Sequence, residues 1–357
     1  MFQKKGIIMQ DRVYDVAFIG AGQGGGRIAA AFYDRGYEKV LAVNTAPQDL
    51  NRLNIPDEKK IALPCERHGA GKDPSVAESL VKANSESIKE KLKSEFGDCD
   101  RIIVCIGAGG GTGTGSCEPL VSIAVEYMRS IGFKDPNKKV GVICSMPTDG
   151  EYRSPAVARN AGLVIGRVRM LSRNKEISPA ILIDNNKIRD IFPGLTMREF
   201  WPTANKSVAE AFDAFNAIPC LDSPFASFDP SDYEGVMESG GFMSMGVSKV
   251  EGEPNKENFI ESFERSLKEN IVCDTYSMKT SMASACIFSC SPEITESTPG
   301  LMDEIDDALD AMASRLQSEY IHRGVYESDD DGVKIYTIAG GLSLPEGLLQ
   351  KLDRLSR

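Results

Sequence analysis

Two glycine-rich runs constrain this chain more than any other feature. The first, Gly20-Ala-Gly-Gln-Gly-Gly-Gly26, follows the apolar run Val13–Ile19 and opens into a helical pattern with Ile28, Ala31 and Phe32 on one face. Lys39–Val43 then reads as a second strand, ending at Asn44-Thr45. Strand, glycine-rich turn, helix and strand make a βαβ unit, whose strands run parallel. The second run, Gly107-Ala-Gly-Gly-Gly-Thr-Gly-Thr-Gly-Ser116, repeats the arrangement. It sits between the fully apolar Arg101–Ile106 and a helix reaching Tyr127.

The alternation continues. Strands are expected at Lys60–Leu63, Val140–Cys144 and Ala180–Ile183, and helices over about 76–96 and 156–171. This predicts an α/β class with a doubly wound parallel sheet over residues 1–195. Thr196 and Glu199 fit a capping box at the head of a central helix, 196–219, in which Ala204, Val208, Phe212 and Phe215 form a stripe. Beyond it the rhythm changes, and 220–342 reads as a smaller α+β domain with a mixed sheet. Its strands are expected at Gly241–Val250, Ala283–Cys290, Tyr320–Tyr326 and Val333–Ala339, and its helices at Glu257–Ile271 and Leu301–Leu316. The last two strands bracket the acidic turn Asp329–Asp331 and are expected to pair antiparallel. Residues 343–357, with Leu348, Leu349, Leu352 and Leu355, are expected to form a C-terminal helix or tail.

Composition removes several function classes. The net charge of -11 argues against a broad nucleic-acid surface. Without an apolar stretch of 18 residues, no membrane span is expected. The N-terminal run GIIM is too short for a signal-peptide core. The nine cysteines show no CxxC pair, and most lie in apolar runs, as small buried hydrophobes in a reducing, cytoplasmic compartment do. His68 and His322 are the whole histidine complement, too few for a His-rich metal site. Glycine is in excess, but 13 of the 33 lie within 20–26, 69–71 and 107–115.

Those loops carry the chemistry. Gly20 to Gly25 satisfies G-x-G-x-x-G, in which backbone N–H groups and a helix N-terminus meet phosphate. Alone, it suggests a dinucleotide site of an NAD-dependent oxidoreductase. That reading wants an acidic residue at the end of the second strand, where Asn44-Thr45 stand. Two glycine loops at strand ends suggest instead a polyphosphate cradled from two sides. No lysine lies between Arg101 and Arg129, so this is not a P-loop. Backbone donors, helix dipoles, hydroxyls and Mg²⁺ would then meet the phosphate charge.

Gly109-Gly-Gly-Thr-Gly-Thr-Gly115 resembles the signature loop of the tubulin/FtsZ GTPase superfamily, and the similarity runs from about Val13 to Leu342. The resemblance implies GTP or GDP as ligand, with Mg²⁺. Gly22, Gln23, Gly24 and Gly25 fall in its first phosphate loop and Asn44 and Thr45 in its second. Gly69, Ala70 and Gly71 fall in the third, which senses the γ-phosphate. His68 stands beside it. Gly107, Gly109, Gly110, Gly111, Thr112 and Gly113 fall in the signature loop. Pro147 and Glu151 fall in the ribose loop, Asn185 and Asn205 where the guanine edge is read, and Trp201 where an aromatic stacks on the base.

Phe228-Asp-Pro-Ser-Asp232 resembles the loop whose acids act on the nucleotide of the neighbouring subunit. The resemblance makes Asp229 and Asp232 catalytic, orienting and polarising the attacking water. Read without it, the same two residues make an acidic helix start, because Asp is a good N-cap. Ser227 stands where the family often has Asn, Pro230 where an aromatic is usual, and Arg153 lies unusually near Glu151. The implied activity is GTP hydrolysis coupled to head-to-tail polymerisation. The implied partners are further copies of the chain and an adaptor or DNA-bound protein. The short segment after the last strand points away from a division-ring protein, towards a divergent plasmid or phage member that segregates or positions DNA. A non-hydrolysing GTP-binding scaffold is the other alternative.

Overall fold

The computed structural model describes residues 11–65, 69–272, 278–317 and 321–344, together with 347, 348, 350 and 354. The chain divides into two compact units, one built on Tyr14–Glu210, the other on Ala211–Ser239 and Met243–Ser343. The boundary falls within the helix Phe200–Ala217.

The first unit carries six parallel strands: β1 (Val16–Ala21), β2 (Val40–Asn44), β3 (Lys60–Ala62), β4 (Arg101–Gly107), β5 (Val140–Met146) and β6 (Ala180–Asp184). Their order is β3-β2-β1-β4-β5-β6, parallel throughout. The runs Val16–Ala21 and Arg101–Ile106 are buried along their whole length, as strands covered on both faces must be. Chain order reverses at β1, whose neighbours are β2 and β4. Ligands of open α/β sheets bind beyond the carboxyl ends of the strands at such a switch point. Ala21 is in register with Ile106, so the two glycine runs leave the sheet side by side.

The single helix expected over 76–96 is two, Pro74–Ala83 and Ser85–Phe96. Asn84 leaves helical geometry at φ -104°, ψ 15°, and its side-chain amide donates to the Leu80 carbonyl at 2.8 Å. This is the local bonding that makes Asn a poor interior helix residue.

The second unit contains most of β7 (Phe242–Lys249), with β8 (Ala283–Cys290), β9 (His322–Glu327) and β10 (Val333–Leu342), in the order β7-β10-β8-β9. The expected antiparallel pairing across the acidic turn is wrong. β8 lies between β9 and β10, parallel to the first and antiparallel to the second. Seven consecutive residues of β8, Ser284–Cys290, are enclosed, and this continuously buried strand takes the inner position between the other two. The helices Lys256–Lys268 and Leu301–Leu316 lay Phe259, Phe263, Ile305 and Met312 against Phe288 and Ile335, the core of this unit. Among the described residues no helix is long and apolar enough to cross a membrane.

Candidate nucleotide site

The glycines of the two loops serve different ends. A Cβ on Gly20 would stand 2.5 Å from the Gly25 carbonyl oxygen, and one on Gly25 would overlap the carbonyl of Cys105 in β4. One on Gly113 would lie 2.7 Å from the Gly107 oxygen, and one on Gly115 would overlap the Pro74 carbonyl. These four allow helices to press onto strands and onto one another. Gly24 and Gly107 bring the two loops into contact, with only 3.2 Å between a Cβ on Gly24 and the Gly107 Cα. Gly71 and Gly110 differ, because a Cβ on either would meet nothing within 4 Å. The local glycine excess therefore divides into packing positions and positions beside open space.

Gly110 is the N-cap of the helix Gly111–Ser130, and Ala21 the N-cap of Gly22–Asp34. Neither offers a side-chain cap, and neither helix has an acidic residue in its first turn. Asp73, Thr148, Asp184, Asp229 and Asn255 cap other helices through their side chains, whereas Ala46, Asn84, Ser154, Ser291 and Gly300 do not. What sets the two glycine-loop helices apart is their place at the carboxyl ends of the neighbouring strands β1 and β4. Two uncapped N-termini at adjacent strand ends present N–H groups and two positive dipole ends at the carboxyl end of the sheet, which is where an anion is stabilised.

Thr45 fixes the geometry of three loops. It is almost fully buried, accepts from the Ala70 N–H at 3.0 Å, and lies 2.7 Å from the Thr112 hydroxyl. Asn44, equally buried, turns its side-chain oxygen to the Ala46 N–H at 3.1 Å. Gln23 donates to Asp49 at 3.2 Å. Asn160 supplies a further tie: its amide donates to the Lys72 carbonyl at 3.0 Å and to the Gly109 carbonyl at 3.4 Å. Lys72 holds a left-handed backbone at φ 62°, a strained position for a lysine beside Gly71 at φ 57°. Asn160 and Lys72 were missed from sequence. A polar residue in step with Val157, Ala161 and Val164 on a buried helix face was the available sign. Thr45→Val is expected to cost about 2 kcal/mol by stranding the Ala70 N–H. A lowered melting temperature, recovered by Thr45→Ser, checks it.

The loop after β5 is braced in the same way. Pro147 is buried, and a Cβ on Gly109 would lie 3.4 Å from its Cγ. Glu151 closes a capping box with Thr148, its Oε2 accepting from the Thr148 N–H at 2.8 Å and hydroxyl at 3.0 Å. Asn185 is buried and donates to the Met146 carbonyl at 2.6 Å. Its neighbour Asn186 accepts from the Asp149 N–H at 2.9 Å. Trp201 and Asn205 sit half-buried one turn apart on the helix Phe200–Ala217, with Trp201 edge-on to Phe200 at 5.0 Å. Among the described residues, the hydrogen bonds that join the loops involve neither of them.

The acidic loop belongs to the second unit. Asp229 is the N-cap of the helix Pro230–Met237 and forms a reciprocal capping box with Asp232. Its Oδ1 accepts from the Asp232 N–H at 2.9 Å and the Ser231 hydroxyl at 2.7 Å. The Ser231 hydroxyl, then the Asp232 N–H, hold its carboxyl below the usual carboxylate range, so Asp229 is ionised at neutral pH. The helix-start reading is therefore structurally real, and it leaves the Asp229 carboxylate exposed. Asp232 Oδ1 lies 2.8 Å from His322 Nδ1, a pairing absent from the sequence reading.

A family model described as the GTPase domain of the tubulin/FtsZ family matches residues 15–193. The chain belongs to the tubulin/FtsZ family. Within that match lie all the glycine loops, Thr45, Glu151 and Asn185, whereas Trp201 and Asn205 fall beyond its end. A second model, the C-terminal domain of the tubulin-like protein TubZ, matches residues 226–346 and contains Asp229, Asp232 and His322. TubZ of Bacillus cereus is 27% identical over 372 residues, covering 95% of this chain and 82% of its own length. A GTPγS-form protofilament of Bacillus thuringiensis serovar israelensis TubZ superposes with a TM-score of 0.79 at 22% identity, covering 98% of this chain and 94% of its own. A plasmid-segregation TubZ superposes at 0.74 and 21%, with 98% and 94% covered.

For this tubulin/FtsZ family member, His68 and the leucines at 349, 352 and 355 lie outside the described residues. Among the described residues no group of three or more His, Cys, Asp or Glu side chains is placed to hold a metal. Two uncapped helix N-termini suit an anion that brings its own cation, since Mg²⁺ is commonly held by substrate phosphates with one or two carboxylates.

Proposed function

We propose that this chain binds GTP at the loops of its first unit, hydrolyses it, and polymerises head to tail. In this reading Asp229 and Asp232 of one subunit complete the site of the next. The carrying observation is the pair of uncapped helix N-termini at the β1 and β4 ends, with open space before Gly110. Asn44, buried and turned to its own backbone at the end of β2, supplies no carboxylate for a dinucleotide ribose, which weighs against the oxidoreductase alternative.

The roles follow from chemistry. First-turn N–H groups of both helices and the Thr112 hydroxyl would bind phosphate oxygens. Glu151, with one oxygen held by Thr148, would offer the other to the ribose. The guanine edge would fall to Asn185 and Asn205, with Trp201 stacked on the base. A water oxygen attacks the γ-phosphorus, and the β–γ bridging oxygen leaves with the bonding electrons on GDP. The water proton passes to an acid of the neighbouring subunit. Mg²⁺ would neutralise charge between the β- and γ-phosphates.

A role in segregating or positioning DNA, through an adaptor or DNA-bound partner, is favoured over division by the C-terminal match to TubZ. The test is sedimentation of the full chain with GTP, with GDP and without nucleotide. Pelleting with GTP that decays as phosphate appears is expected. No GTP-dependent pellet at any concentration, or NADH bound more tightly than GTP, would overturn the proposal. Assembly without phosphate release would favour the scaffold alternative.

A further inference from the structure

The acidic loop is stitched to one strand at successive residues. β9 ends its sheet, and the segment before the loop runs along its open side. Val325 donates its N–H to the Ala226 carbonyl at 2.8 Å, and the Ser223 hydroxyl donates to the Val325 carbonyl. The buried Tyr326 hydroxyl accepts from the Phe228 N–H at 2.8 Å and donates to the Phe228 carbonyl at 3.3 Å. Gly324 lets the loop come close, since a Cβ there would lie 3.1 Å from Phe228 Cβ. His322 completes the series. Its Nδ1 lies 2.8 Å from Asp232 Oδ1, and its ring stands edge-on to Phe228 at 6.4 Å. Both side chains are about one-quarter exposed, at 26% and 25%. The next residue, Arg323, is directed to Asp306 on the helix Leu301–Leu316.

The other bond to the Asp232 carboxylate is weak. Its Oδ2 accepts from the Asp229 N–H at 3.4 Å, near the limit of a hydrogen bond. Without His322 that long bond would be left to restrain the carboxylate about its last torsion. A group that must meet a water in one orientation gains rate from being held, and small misplacements of such groups cost up to about 100-fold.

We infer that His322 is the positioning residue for Asp232, holding Oδ1 through its Nδ1–H and so fixing the plane in which the carboxylate meets the water at the neighbouring subunit's γ-phosphate. The inference rests on the catalytic reading of Asp232 proposed above. His322 transfers no proton to substrate and touches no nucleotide. It acts through the carboxylate it orients.

The experiment measures GTP affinity, critical concentration and turnover at saturating GTP for the full chain and two variants. His322→Leu is expected to lower kcat about tenfold, with KM and critical concentration within about twofold of the parent. His322→Asn places an amide N–H where Nδ1 stood and is expected to recover the rate to within about threefold. On an Asp232→Asn background, His322→Leu is expected to slow turnover no further. A Leu variant as fast as the parent, equal rates for Leu and Asn, or lost assembly in the Leu variant would each overturn the role. If Asp232→Asn alone hydrolyses at the parental rate, the reading of Asp232 fails. If it is slow while His322→Leu is not, only the inference about His322 fails.

Discussion

Asp232→Asn is expected to bind GTP with unchanged affinity, assemble normally, and hydrolyse at least about 100-fold more slowly than the parent. The substitution is chosen for what it preserves. The Asn side-chain oxygen can still accept from the Asp229 N–H, so the reciprocal cap survives in shape. What is removed is the charge and the ability to take a proton. The phosphate loops lie in the first unit and Asp232 in the second, so binding within one subunit is not expected to change. Asp229 would be a poorer test, because it caps the helix Pro230–Met237 and its loss costs about 1 kcal/mol of stability as well. Phosphate release and decay of light scattering after one GTP addition check the result: slow release with long-lived filaments. Lost nucleotide affinity would place the loop in the subunit's own site, and unchanged release would remove Asp232 from the chemistry.

The sequence disclosed the parts of this molecule that rest on local pattern. The β1 and β4 runs are continuously apolar because both faces are covered, and each leads into glycine, so the parallel sheet was readable, whereas its switch point depends on the strand order. The stripe Leu301–Leu316 was readable because its period is set by the helix itself. Strand neighbours in the second unit were not. A run such as Val333–Ala339 shows that it is a strand, whereas its partner is decided by where β8 can be enclosed. The same division holds at the site. Glycine loops are visible as composition, but Asn160 and His322 act on residues 88 and 90 positions away in the chain, and no local spacing announces such ties. Glycine content did not separate packing from binding: Gly25 and Gly113 are required by helix packing, and composition alone does not show it.

That division of the glycines yields the sharpest expected contrast. Gly110→Ala is expected to fold as the parent does and to bind GTP about 100-fold more weakly. Its backbone, at φ -90°, ψ 160°, suits any residue, and the added methyl meets no protein atom within 4 Å. A methyl in that space excludes a phosphate oxygen from the first N–H groups of the helix Gly111–Ser130. Hydrogen bonds to charged groups contribute about 1.5–3 kcal/mol each, which spans the expected loss. Gly25→Ala is expected to do the reverse at the level of folding. Its methyl would overlap the Cys105 carbonyl, and strand and helix would have to separate. Overpacking of this kind costs about 3 kcal/mol, a fall of roughly 10 °C in melting temperature for a unit of this size. Thermal unfolding without nucleotide and GTP titration of the folded variants separate the two cases. Unchanged affinity in Gly110→Ala would move the phosphates away from the β4 loop. Unchanged melting in Gly25→Ala would mean that the helix Gly22–Asp34 lies further from β4 than its backbone indicates.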